Sequence, residues 1–384
     1  MTTDDIRIAA CREEDVPALM RFIDAHWQAG HILSRDEVLL RWQFDPGLIP
    51  GRFPEGPAIM LAWHDRALVG MLGLTGFDLN AEGVPVPAAW MSHWLAVPEY
   101  RHLNVAVRLL LAVRKLGLGA LGAVGANDLS TKALLTLGYQ LISDLPRWVG
   151  VFDAGQSASL LVASGVPLAP EAVKRMCRLH LVLDGAGPHR SADEVVVVPW
   201  APELAGAWDR HWHEQLAGSL VGASRDSHYL QWRYADHPRF RYEVQMARRP
   251  ADGSVLGVAV FRVEQVRARP ERVLRVVEFL ASPEAEAALA QAVVQAGRDA
   301  GVAFADFYCS SARSAPALER IGFRSVSAPS DAAFPCRLQP LEGGHFSMTA
   351  LLQLPTQWHG QFSDLIASSR LYVTKSDGDQ DRPN

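Results

Sequence analysis

The stretch from His93 to Ala106 combines the residue types and spacing best suited to chemistry. Ala88 to Val97 reads as a strand ended by Pro98, and Leu103 to Leu116 reads as a long apolar helix. Arg101, His102 and Asn104 fall in the turn between them. A strand–turn–helix points the unused first amides of the helix at one spot, where the helix dipole favours an anion. The chemistry this implies is capture of a pyrophosphate or similar group, with small Ala106 allowing close approach to the backbone. The alternative is a plain strand–helix turn without a ligand. On strict alternation His93, Leu95 and Val97 share one strand face. His93 is a candidate general base, because imidazole titrates near neutral pH, or else a hydrogen-bonded structural histidine.

The elements that must position these residues occur twice. Ser34-Arg35-Asp36 with Leu40, Trp42 and Phe44 is answered by Ser224-Arg225-Asp226 with Leu230, Trp232 and Tyr234 at identical internal spacing. The segments His93–Glu99 and Glu278–Glu284, and then Ala133–Tyr139 and Ala317–Phe323, correspond in the same order. Matches in one order at nearly one offset point to a duplicated unit. Each unit reads β-α-α-β-β-β-α-β-α-β, which predicts a mixed sheet flanked by helices. Ser34 is expected to cap the second helix, with Glu37 at the capping-box position. The expected units are 1–153 and 194–355, joined by a connector at 154–193 carrying one helix, with an extension and polar tail at 356–384. Lys375 to Asn384 is polar and turn-rich, and its expected state is a frayed end.

The 384 residues are 49% hydrophobic and 21% charged, which suits sizeable cores and excludes a disordered chain. Net charge is −5, without the basic excess of a nucleic-acid binder. Cys11, Cys177, Cys309 and Cys336 are dispersed and are expected to be reduced thiols. No apolar run reaches the roughly 20 residues of a membrane helix. A cytoplasmic protein without metal, nucleic-acid partner or membrane span is the expectation, its oligomeric state open.

The strand–turn–helix resembles the acyl-coenzyme-A site of the GCN5-related N-acetyltransferase (GNAT) superfamily. Leu95, Val97 and Pro98 match its L-x-V-x-P strand end, Arg101 its Q/R, and Ala106 its last small residue. Asn104 stands where glycine is usual, and asparagine tolerates positive φ better than most residues. Asn127, Ala133 and Gly138-Tyr139 are similar to the later N…A…GF segment.

The resemblance implies an α/β fold of two tandem GNAT-like domains and an enzyme moving an acyl group from acetyl-CoA, or another acyl-CoA, to an amine. The first domain would bind the cofactor through Leu95, Val97, Arg101, His102, Leu103, Asn104, Val105, Ala106 and Asn127. In the second, Glu284 and Glu286 replace the anion-binding residues. The tyrosine acid common in the family is replaced by Leu134, leaving Tyr139 and Tyr100 as nearby alternatives beside His93. His26, Arg41 and Glu278 are candidate acceptor contacts. The tail is similar to the ending of tandem GNAT-like proteins of bacterial surface-polysaccharide synthesis, which implies an amino sugar or sugar nucleotide as the small-molecule acceptor. The rival readings are a Fem-type aminoacyl transferase using aminoacyl-tRNA and a non-catalytic binding protein with a degenerate cofactor site.

Overall fold

The structure, a computed structural model, describes residues 6–183, 195–326, 334–342, 348–358 and 360–382. Strands β1 (Ile6–Ala10), β2 (Ile59–His64), β3 (Ala67–Ala81), β4 (Val84–Ala96), β5 (Ala120–Val124) and β6 (Gln140–Ile142) build the first sheet. Its order is β1-β2-β3-β4-β5, then the late strand Ala350–Gln353, then β6. The second sheet uses β7 (Arg147–Val151), β8 (Val196–Pro199), β10 (Glu243–Arg248), β11 (Val255–Gln265), β12 (Arg272–Ala281), β13 (Phe304–Tyr308) and β14 (Arg324–Val326). It runs β14-β7-β13-β12-β11-β10-β8. The short β9 (Val221–Ala223) belongs instead to the first sheet, pairing with the far end of β3.

Strands cross between the two sheets in both directions. β7, read from sequence as part of the first unit, sits between β13 and β14, with Phe304 opposite Val151 and Arg324 opposite Val149. Ala350 in turn lies between Val124 of β5 and Ile142 of β6. Residue 153 therefore does not separate the sheets. The physical reason lies in β7, whose five residues are all buried and so require an interior sheet position covered on both faces. The connector holds two helices, Ala154–Ala163 and Pro170–Leu179, where one was expected, and its residues 184–193 lie outside the described ones.

The helix after Ser34 starts at Glu37, and its cap is Asp36, whose Oδ1 accepts from Leu39 N at 3.0 Å. Ser34 instead closes the preceding turn, bonding His31 O at 2.7 Å. Asp226 plays the matching role, accepting from Tyr229 N at 2.9 Å. The repeated tryptophans meet: Trp42 stacks on Trp232 at 5.1 Å, joining the two halves.

From Lys375 to Arg382 the polar tail is not frayed. Lys375, Ser376, Asp377 and Asp381 are buried between the halves. Arg225, itself fully buried, binds Glu278 at 2.7 Å and both oxygens of Asp377 at 2.9 Å. Arg233 reaches Asp381 at 2.8 Å, and Tyr242 donates to the same carboxylate at 2.6 Å. Charged residues can leave water only when paired, and here Asp377 and Asp381 find their cations, Arg225 and Arg233, on the second half.

Candidate functional site

β4 carries the site because two irregularities fall in it. On its β3 side, Met71 pairs with Leu95 and Gly73 with Ser92, so Leu72 alone spans both His93 and Trp94. This bulge breaks the strict alternation expected for His93, Leu95 and Val97. It holds His93 at φ +51°, a left-handed conformation costing a non-glycine residue about 1–2 kcal/mol. On its other side, β4 pairs in parallel with β5 only from Ala88–Trp90 against Ala120–Gly122. Beyond Trp90 the strands part, while the far edge of β5 pairs with the Ala350–Gln353 strand. The β4 edge from Met91 to Ala96 thus has no strand partner on that side among the described residues.

The turn lies at the mouth of this cleft. Val97 N is fixed to Val69 O at 2.9 Å, and a short helical turn, Pro98–Leu103, leads to Asn104. Asn104 adopts φ 54° and ψ 33°, the left-handed conformation for which glycine is usual and asparagine is tolerated. The Val105–Arg114 helix follows, and its first bond is Arg108 N to Asn104 O at 3.0 Å. The amides of Val105, Ala106 and Val107 precede that bond and make no hydrogen bond among the described residues. Arg101 and His102 are exposed beside them, Leu103 is half-buried, and Val105 is buried. Ala106 O accepts from Trp94 Nε1 at 3.0 Å, tying the helix start to the bulge. Arg108 bonds Ile6 O, anchoring the helix on β1. Asn127 marks the opposite arm of the cleft, capping the helix after β5 through Ser130 N at 2.9 Å.

His93 is 5% exposed. Its ring contacts Trp27 at 5.0 Å, His31 at 5.2 Å and Phe44 at 5.9 Å. Nδ1 lies 3.2 Å from Ser92 Oγ and 3.6 Å from Asp379 Oδ2 of the tail. Burial lowers its pKa, Asp379 opposes that shift and Arg382 adds to it, so the ring is neutral at pH 7. Burial likewise lowers His31, to about 4. The narrow slot at His93 is lined by His31, Gln43, Phe240, Asp379 and Arg382. Asp379 also borders a polar cavity of about 170 Å³ between the tail and the second sheet, with Gln28, Glu264, Arg275, Lys375 and Arg382 on its walls.

Tyr139 is buried near the cleft, its hydroxyl 3.9 Å from Met91 Sδ, and burial raises its pKa. The other candidates lie apart from His93. Arg41 is on the surface, bound to Glu13 and Glu37 at 2.7 Å each. His26 is exposed in the last turn of the Val16–His26 helix, against Phe22 at 4.8 Å. Glu278 is fully buried, accepting from Arg225 at 2.7 Å, Tyr234 at 2.6 Å and Tyr372 at 2.9 Å. Sequence reasoning missed Asp379, His31 and Gln28, which only the packing of the tail and the first helices brings to His93 and the neighbouring cavity.

The second sheet has the same parting but not the same opening. β12 and β13 pair in parallel as far as Val276 and Phe307. Past that point the tail fills the gap: Cys309 bridges to Thr374, Ser310 N donates to Val373 O at 2.9 Å, and Ser376 Oγ donates to Val277 O at 3.5 Å. At the following turn Glu284 pairs with Arg249 and Glu286 with Arg320.

No protein-family model matches the chain, and no curated protein matches it. Among solved structures it is similar to a protein of Enterococcus faecalis V583, of unknown function and named a probable N-acyltransferase, with a TM-score of 0.51 and 13% identity over 92% of this chain and 74% of that one. A GCN5-related N-acetyltransferase from Anabaena variabilis ATCC 29413 gives 0.54 and 11% over the same shares. One from Kribbella flavida gives 0.51 and 17%, over 92% and 71%. The fold is that of the GCN5-related N-acetyltransferases, in a mixed α/β architecture with two mixed sheets. No described helix is long and apolar enough to cross a membrane.

Proposed function

We propose that the chain is an N-acyltransferase that takes an acyl group from acyl-CoA, acetyl-CoA in the simplest case, and delivers it to an amine. The observation that carries this reading is the unpaired β4 edge opening beside the left-handed turn at Asn104. A pantetheine arm is a chain of amides, and such an edge offers it strand-like hydrogen bonds. The spare amides of Val105, Ala106 and Val107, with Arg101 alongside, suit the pyrophosphate. The thioester then lies near the bulge, where a β4 amide can stabilise the oxyanion. Neutral His93 accepts the amine proton as nitrogen attacks the carbonyl, and the carbon–sulfur bond breaks to release CoA thiolate. His93, or the neutral phenol of Tyr139, returns a proton to sulfur. In the second half the tail stands in the matching gap, so one cofactor binds per chain.

The cavity beside Asp379 is the place for the acceptor, and its charged lining suits a polar amine such as an amino sugar. Thiol release from acetyl-CoA, measured across a panel of amino sugars and simple amines, tests this. Acceptor-dependent release that is lost in His93→Ala is the expected result. A wild-type chain that binds acetyl-CoA but transfers to no amine at any pH from 6 to 9 would contradict it.

A further inference from the structure

We propose that Asp379, delivered by the C-terminal tail, is the positioning residue of a His93–Asp379 pair, so that the active site of the first half is completed by the end of the chain. This rests on the acyltransferase reading above. Three acids alternate along the tail at 377, 379 and 381. The outer two are spent on anchoring: Asp377 on Arg225 and Asp381 on Arg233 and Tyr242, all buried. The middle one alone faces the first half, its Oδ2 3.6 Å from His93 Nδ1 and its Oδ1 accepting from Gln380 Nε2 at 2.9 Å. Gln380 in turn packs on Gly125 just after β5, where a Cβ would lie 2.7 Å from its Cδ, so this part of the tail rests on the first half at the end of β5 as well as at His93.

The geometry assigns the two ring nitrogens different tasks. Nδ1 faces the carboxylate and Ser92 Oγ, while Nε2 makes no hydrogen bond among the described residues. A proton kept on Nδ1 leaves the Nε2 lone pair as the base. When Nε2 takes the proton from the attacking amine, the ionised Asp379 stabilises the imidazolium. The proton then passes to the CoA sulfur, and Asp379 is unchanged throughout. The charged or titratable groups around the ring are Asp379 and Arg382 from the tail and His31 from the turn after the first helix; Trp27 and Phe44 add none.

The test compares wild type with Asp379→Asn in acetyl transfer to an accepted amine at saturating acetyl-CoA from pH 5 to 9. The variant is expected to bind acetyl-CoA as wild type does, to lose at least about tenfold in kcat, and to move its acid limb to lower pH by about half a unit or more, because a carboxylate that raised the imidazole pKa is gone. Asp379→Glu is expected to recover part of both changes. A merely structural tail contact would lower yield or melting temperature without moving the limb. Nitrogen NMR of labelled wild-type protein gives a second reading that needs no variant and no turnover: His93 is expected as the Nδ1-protonated tautomer. An active wild type with an unmoved profile in Asp379→Asn, or an Nε2-protonated His93, would overturn the pairing while leaving the acyltransferase reading intact. A wild type inactive on every amine would instead overturn that reading.

Discussion

Replacing Arg225 by methionine probes what holds the tail in place. Arg225 is fully buried, and so are its two acidic partners, Glu278 and Asp377. Its guanidinium also contacts the rings of Tyr229 at 4.7 Å and Tyr372 at 5.3 Å and donates to Ala223 O at 2.9 Å. Methionine fills part of the volume but leaves two carboxylates facing each other without a cation. Removing one partner of a buried ion pair costs about 3–5 kcal/mol. Unfolding entropy near 2.1 cal/mol/K per residue makes that a melting-temperature loss of about 4–6 °C, if the chain unfolds as one unit. The loss depends on pH with a definite sign. Burial already raises Glu278 above the ordinary carboxylate range, and losing Arg225 raises it further. A carboxyl whose folded pKa exceeds its unfolded value takes up a proton on folding, so its penalty is small at low pH and grows as pH rises through the window between the two values. The deficit of the variant relative to wild type is therefore expected to shrink as pH falls from 7 towards 5. Differential scanning fluorimetry at several pH values measures it. Equal melting of the two proteins at pH 7, or a deficit that grows on acidification, would refute the idea that the tail is pinned by this buried triad.

Further outcomes follow from local geometry. Asn104→Gly is expected to keep acetyl-CoA affinity, whereas Asn104→Val, β-branched in a left-handed turn, loses about tenfold by calorimetry, the equivalent of roughly 1–2 kcal/mol of backbone strain. Gly222→Ala would set a Cβ 2.2 Å from Tyr372 O, where β9 pairs with Leu371–Tyr372. It is expected to cost about 1–3 kcal/mol and to make the tail a target for limited proteolysis. Asp36→Ala removes a helix cap and the Asp36–Arg239 pair between the halves, and is expected to lower stability by about 1 kcal/mol in denaturant titration.

Much of the fold is legible in the sequence because its signals are local. The strand ended by Pro98, the helix after Asn104 and the paired SRD segments all announce themselves within a dozen residues. Asn104 reads correctly as a left-handed position because its side chain, like that of glycine, is at ease there. The strand exchange is not legible: β7 is as apolar as a strand of either sheet, and only long-range packing decides which sheet takes it. The bulge at His93 escapes alternation because one extra residue in a strand leaves no compositional mark. The tail misleads most. Its polarity signals solvent when read alone, yet its partners Arg225 and Arg233 lie about 150 residues upstream. The carboxylate beside His93 comes from that same segment, so the site's best local candidate was readable and its neighbour was not.

The central claim is that one half of the chain holds an acyl-CoA and the other half, filled by the tail, does not. Calorimetric titration of the full chain with acetyl-CoA tests it directly, with Arg101→Glu as the control that places the site. The account predicts saturable binding of one acetyl-CoA per chain, weakened by at least about tenfold in Arg101→Glu through charge repulsion at the spare amides. No binding, two molecules per chain, or an affinity indifferent to Arg101→Glu would contradict it.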